Sequence, residues 1–237
     1  MLSRYYEIQQ YFLIAMKVIN ILTNDDLRNI HKLLKSIKFK DGSGTARGSA
    51  KQAKNNKEAI QNSSSNELLE MLKSKISENA AIQKRYLPTK FSKPILNLYQ
   101  QGDFYKRHFD SSHMQIKDQH TMLVCDYSYT LMLSSPDAYE GGELEIESNG
   151  FLHNIKLGAG DMVIYPSNDM HEVKQVTEGS RVACVGWINS SIKSYQDQEI
   201  ISLFEDMHLS LEKYNLSNED SLKVGFLQNK IQHLVSK

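Results

Sequence analysis

The sequence predicts a mainly β fold with flanking helices, an all-β sandwich or jelly roll, and three observations carry that expectation. From Pro94 onward, short runs of strand character follow one another: ILNLYQ, DFYKRHFD, YSYTLML, GELEIE, FLHNIKL, MVIY, HEVKQV and RVACVGWI. Turn-forming Gly, Pro, Ser and Asn separate them. On either side of this block the apolar residues recur at helical spacing instead. A chain of 237 residues is long enough to bury a full core and reads as one domain with decorations.

Taken in order, residues 1–15 read as an N-terminal extension. Its apolar stretch YFLIAM follows Glu7, Gln9 and Gln10, lacks a small-residue cleavage site, and is too short and polar for a signal or membrane-spanning segment. Residues 16–93 are expected to form a strand and supporting helices. Ile19–Leu22 is the strand. Thr23 before Asn24-Asp25-Asp26 is a helix N-cap with acidic residues in the first turn. Leu27, Ile30, Leu33, Leu34 and Ile37 then mark one apolar helix face. The polar stretch 40–65 reads as a flexible loop beside the site. Glu67–Asn79 is a second helix, with Leu68, Leu69, Leu72 and Ile76 on one face.

Residues 94–190 hold the strand runs. Within them Ser148-Asn149-Gly150 is a hairpin turn, and Gly141-Gly142 permits a bulge or a close backbone approach. Pro166–Asp169 and Glu178-Gly179-Ser180 read as further turns. Residues 191–237 form a helical tail interrupted at Asn215–Asp220, suited either to cover the barrel or to make a homodimer contact.

Lys+Arg and Asp+Glu both number 28, so the net charge is zero. That argues against bulk electrostatic binding to nucleic acid or an anionic membrane. Cys125 and Cys184 sit in apolar runs without a CxxC or Cys/His pair, which points to buried reduced thiols in a reducing, cytoplasmic compartment.

Four residues suggest chemistry. His108 and Asp110 are separated by one residue, which on a strand puts both on one face. His171 and Arg181 stand ten apart around what reads as one hairpin, where paired strands would bring them side by side. Two histidines and one carboxylate form the facial triad of non-haem Fe(II) oxygenases, and an arginine facing the same cavity can anchor a carboxylate. His31, His208 and His233 lie on helical segments and read as surface residues. His113, His120 and His153 are not expected to be ligands, and Asp161 and Asp169 sit in turns that favour Asp without any metal.

Several stretches resemble a known family: Lys54-Asn55-Asn56, Leu98–Asp110, Asp126–Leu144 and Leu157–Ile188. The chain looks like the 2-oxoglutarate- and Fe(II)-dependent oxygenases of the prolyl hydroxylase-like group, and more closely the bacterial PKHD-type hydroxylases. The resemblance implies a double-stranded β-helix, jelly roll and cupin-like, over 94–190. It implies Fe(II) on His108, Asp110 and His171, 2-oxoglutarate as co-substrate anchored by Arg181 with Tyr99 and Thr130, and ascorbate as a further small-molecule partner. It also implies hydroxylation of an unactivated C–H, by analogy a peptidyl proline, with release of succinate and CO2. The substrate would be a peptide, a protein or a small molecule. The competing expectation is a non-catalytic cupin-like protein that binds a metal or a small acid. The chain departs from the family at Val124, where an arginine is usual, and at Lys106, Arg107, Ser111 and Ser112, where small residues are common. These positions flank the triad, where substrate would enter.

Overall fold

The computed structural model describes residues 16–45, 53–116, 121–211 and 213–236. The extension 1–15, residues 46–52 of the polar stretch and His120 therefore lie outside the described residues.

The elements run in this order: β1 Lys17–Asn20, α1 Asn24–Leu34, β2 Phe39–Asp41, β3 Lys54–Asn55, β4 Lys57–Ala59, α2 Ser63–Ser77, α3 Ala80–Tyr86, β5 Pro88–Phe91, β6 Ile95–Gln100, β7 Phe104–His108, β8 His113–Ile116, β9 Thr121–Val124, β10 Tyr127–Met132, β11 Tyr139–Gly141, β12 Leu144–Ser148, β13 Phe151–Ile155, β14 Asp161–Pro166, β15 Met170–Val173, β16 Val176–Ser190, α4 Tyr195–Leu211 and α5 Asn218–Val235. The strands form two facing sheets, the double-stranded β-helix. The larger has the order β1-β14-β10-β16-β6-β4-β2, with β5 and β11 also pairing to β16. The smaller is β13-β12-β15-β7-β3, and β8 and β9 make a separate hairpin.

Period-2 alternation divides the larger sheet into an inner and an outer face. Tyr127, Tyr129 and Leu131 of β10, Met162 and Ile164 of β14, and Cys184 and Ile188 of β16 face outward into one cluster. There they meet Ile30 of α1, Leu68, Leu72 and Ile76 of α2, and Ile82 and Tyr86 of α3. Burying each such aliphatic side chain stabilises the fold by roughly 1.5–3 kcal/mol. The helices thus cover the sheet, and β10 is buried at every position. The inner residues Tyr99, Met132, Val163, Tyr165 and Ala183 meet Leu144, Ile146 and Val173 of the smaller sheet in a second cluster between the sheets.

Local chemistry accounts for the ends of these elements. Thr23 caps α1 with the reciprocal bonds of a capping box, its side chain to Asp26 and Asp26 back to the Thr23 amide. Asn62 and Ser65 do the same for α2, which starts earlier than the Glu67 expected from apolar spacing because polar residues fill its first turn. At the β12–β13 turn, Asn149 and Gly150 both have positive φ (51° and 78°), as a two-residue hairpin requires. Gly141 sits at a register shift between β11 and β16, where a Cβ would lie 2.1 Å from the Gln175 carbonyl oxygen; both the bulge and the close approach are present.

Four expectations are corrected. His171 and Arg181 are not neighbours on one hairpin: β15 pairs with β12 and β7, while β16 pairs with β10 and β6, so the two residues stand on opposite sheets. Glu178-Gly179-Ser180 does not turn the chain but lies inside β16, since Gly179 (φ 74°) bends a strand that keeps its partners. The polar stretch 40–65 is not a featureless loop in its described part. β3 joins the smaller sheet, and β4 joins the larger one beside β2. The fourth correction is an omission: α3, β5 and the β8–β9 hairpin are present where no element was expected.

Candidate active site

The site lies between the sheets, at the end where β7 finishes. β15 and β7 pair with His171 directly opposite His108, so the two imidazoles share a face and their ring centres lie 4.3 Å apart. Asp110 follows two residues after His108, just past the strand end, and its amide donates to the Ser167 carbonyl. One ligand atom from each of His108, Asp110 and His171 falls within 4.8 Å of the others. Among the described residues this is the one such group.

Each donor is oriented by its surroundings. His108 Nδ1 lies 2.7 Å from the Lys106 carbonyl oxygen, and His171 Nδ1 lies 2.9 Å from that of Asp169. A carbonyl only accepts, so each Nδ1 carries the proton and each Nε2 keeps a lone pair for the cluster. Asp110 Oδ2 accepts from the Ser128 hydroxyl at 2.6 Å and from Trp187 Nε1 at 3.0 Å. Burial, then the neighbouring His171, pushes the His108 imidazole down to about 4, so it is neutral at ordinary pH. Two imidazoles beside a carboxylate, with His108 neutral, suit a divalent cation.

Arg181 occupies the inner face of β16. Positions 181, 183, 185 and 187 alternate onto that face, which puts Arg181 and Trp187 in one interior with Ala183 and Val185 between them. Arg181 is only 1% exposed, yet among the described residues no carboxylate pairs with it. Its guanidinium lies 5.2 Å from the centre of the Tyr99 ring and 3.6 Å from Met132 Sδ, and its Nε has no hydrogen-bond partner. The Tyr139 hydroxyl is buried beside it, and the guanidinium acts on it through both its charge and a hydrogen-bond approach. A buried guanidinium without a counter-ion is costly unless an anion joins it, so the chemistry of this end of the cavity suits an anionic group such as a carboxylate. Tyr99 stands opposite Arg181 on β6, and burial pushes its hydroxyl up to about 12 despite the arginine. Thr130 stands opposite Val185 on β10, buried, with its hydroxyl toward that of Tyr165.

All six residues singled out from sequence therefore reach one interior. His113 is exposed and His153 lies outside the cluster. His31 is more than a surface residue, since its Nε2 bonds the Leu133 carbonyl oxygen at 3.0 Å. Sequence reasoning missed Ser128, Tyr139 and Trp187. The even spacing from Arg181 to Trp187, and from Thr130 to Ser128, was the signal available.

The fold and the candidate site agree with what the comparisons show, a 2-oxoglutarate-dependent, non-haem iron oxygenase. The model of the 2OG-Fe(II) oxygenase superfamily matches residues 94–189. More particularly, the chain belongs to the PKHD-type hydroxylases. It is 37% identical to such a hydroxylase of Hyphomonas neptunium over 183 residues, 77% of this chain and 81% of that one. It is 33% identical to one of Saccharophagus degradans over 88% of this chain and 92% of the relative. Among solved structures it is similar in fold to HygX from Streptomyces hygroscopicus with nickel, 2-oxoglutarate and hygromycin B bound (TM-score 0.52, 12% identity, 78% of this chain and 86% of that one). It is also similar to a Trichoplax adhaerens prolyl hydroxylase in complex with a hypoxia inducible factor peptide fragment (TM-score 0.50, 16% identity, 83% and 96%). The family's cofactor is Fe(II) and its co-substrate 2-oxoglutarate, which makes this chain an enzyme rather than a non-catalytic cupin-like binder. No described helix is long and apolar enough to cross a membrane.

Proposed function

We propose that His108, Asp110 and His171 hold Fe(II), that Arg181 with Tyr99 and Thr130 holds 2-oxoglutarate, and that the enzyme hydroxylates a C–H bond in a polypeptide, by family analogy at proline. The observation that carries this reading is the buried, carboxylate-free guanidinium of Arg181 in the same interior as the two-histidine, one-carboxylate group. Bound iron and 2-oxoglutarate supply, with oxygen, the oxidation of substrate, and succinate and CO2 leave as products.

The chain's own residues bind, orient and exclude water. The Arg181 fork would hold the far carboxylate of the co-substrate, with a bidentate capacity that a lysine could not match. Tyr99 stays protonated at ordinary pH and donates to the same group. The Thr130 hydroxyl is a second donor on the path toward the metal end. Trp187 and Ser128 fix the Asp110 carboxylate, and the carbonyls of Lys106 and Asp169 fix the imidazoles. Val163, Ile146 and Val173 keep the interior dry.

A polypeptide substrate is supported at the mouth. Phe109, between the two ligands, is 64% exposed, and Met122 and Val124 on the nearby β8–β9 hairpin are exposed as well. Exposed apolar side chains beside a reactive centre favour a chain with apolar residues next to its target. Both cysteines are free and buried, in keeping with a cytoplasmic enzyme.

Adding Fe(II) and then 2-oxoglutarate without oxygen tests the assignment. Wild type should show the weak visible charge-transfer band of the chelate; His171→Ala should lose it. With air and a proline-containing peptide, succinate and hydroxylated peptide should form together. Metal binding without the band or succinate would overturn the enzymatic reading of this site. Succinate with a small molecule such as hygromycin B but with no peptide would move the substrate class.

A further inference from the structure

One buried ion pair in the interior has no part in the chemistry above. β3 is the outermost strand of the smaller sheet, and Lys54 stands directly opposite Tyr105 of β7. Opposed residues share a face, and Tyr105 packs on the inter-sheet cluster, so Lys54 faces inward too. The chain then steps across to the larger sheet, where Glu58 of β4 stands opposite the buried Asn97 of β6. Lys54 Nζ and Glu58 Oε1 are 2.5 Å apart, each side chain only 7% exposed. The pair thus spans the two sheets.

Its cation also reaches the metal end through one intermediate. Lys54 Nζ lies 5.4 Å from the centre of the Tyr105 ring. Tyr105 in turn stacks on His108, with ring centres 3.6 Å apart and planes 15° from parallel. Ammonium, phenol ring and imidazole form one series that ends on a member of the cluster. A purely stabilising role is a weak account of such a pair, because buried ion pairs often hold a fold no better than apolar residues of similar size. Orientation is the better account. The imidazole torsion is broad, and one bond from Nδ1 leaves the tilt of the ring open; the Tyr105 face closes it.

We propose that Lys54 and Glu58 are positioning residues for the metal centre: they hold Tyr105 flat against His108 and so set the plane in which His108 Nε2 meets the ion. The proposal rests on His108 being a ligand. Glu58 belongs to the same unit because its carboxylate holds the ammonium beside the Tyr105 ring.

The test is calorimetric titration of the metal-free, full-length protein with Co(II), together with the visible spectrum of the bound ion and the thermal midpoint of each variant. Lys54→Met/Glu58→Leu, which removes both charges, and Tyr105→Leu should each weaken Co(II) binding about tenfold and shift the Co(II) band, as expected for groups that support a ligand from outside. Lys54→Arg and Tyr105→Phe, which keep the cation and the ring, should restore both towards wild type. Wild-type affinity and an unchanged band in the double variant would overturn the proposal, whatever its thermal midpoint. Lowered stability with unaltered Co(II) binding would mark the pair as structural only. A wild type that binds no Co(II), or binds it equally well as His171→Ala, would instead sink the ligand assignment, and this proposal with it.

Discussion

The two sheets enclose one interior but are built differently. The larger is buried on both faces, with helices against its back, and β10 reads buried at every residue. The smaller alternates: Ile146, His171 and Val173 face in, while Glu147, Glu172 and Lys174 face out and pair across the surface with Arg107 and Glu145. The larger sheet carries Arg181, Tyr99 and Thr130; the smaller carries His108 and His171, with Asp110 just past its end. The difference teaches that the thick wall of the fold is also the wall that hides an unpaired cation. The His108, Asp110 and His171 group sits on the thin wall and is steadied by individual hydrogen bonds.

If that division is right, damage to the back of the larger sheet should cost stability before it costs binding. Leu131, fully buried under the helices, is the sharpest probe: Leu131→Ala should lower unfolding free energy by about 2–5 kcal/mol in urea titration, with the 2-oxoglutarate requirement unchanged while the protein is folded. The inner face should behave in the opposite sense. Arg181→Leu should raise the 2-oxoglutarate concentration for half-saturation roughly 100-fold, while the thermal midpoint of the ligand-free protein holds or rises because a buried unpaired charge is gone. A fall of many degrees would show that Arg181 belongs to the scaffold.

On the thin wall the expected effects are subtler. His108 titrates at about 4 in the folded, metal-free protein against 6.5 when unfolded, so between these values the unfolded chain binds the extra proton. Stability is therefore complete above pH 6.5 and declines as pH falls through that window, by roughly 2 kcal/mol at pH 5. Urea midpoints of metal-free protein at pH 7 and pH 5 measure this, and equal midpoints for wild type would refute it. Ser128→Ala, which removes one of two donors to Asp110, should weaken metal binding about tenfold and leave Arg181 untouched. Smallest of all, Thr23→Ala at the α1 cap should cost about 1 kcal/mol in stability and nothing in binding.

Much of this contrast was legible in the residues. β6, β7, β10 and β12 to β15 lie close to apolar or alternating runs, because a strand buried on one or both faces has no other way to satisfy its side chains. The α1 cap was legible from Thr23 and the acidic turn. What failed was pairing. His171 and Arg181 looked adjacent because a Gly between polar residues reads locally as a turn, whereas Gly179 is held within β16 by β11, a partner some forty residues upstream. The β3 and β4 strands were hidden by polar composition, since Lys54 and Glu58 satisfy each other rather than water. The residues that hold the Asp110 carboxylate, Ser128 and Trp187, have meaning only once β10 and β16 lie side by side.

Trp187 is also the sole tryptophan of the chain, and its indole N–H is bonded to the Asp110 carboxylate. Whatever withdraws electron density from that carboxylate acts directly on the lone indole chromophore. The protein accordingly carries its own optical gauge of the site: intrinsic fluorescence, with no label and no background from other indoles, should report occupancy, exchange and loss at Asp110 in real time.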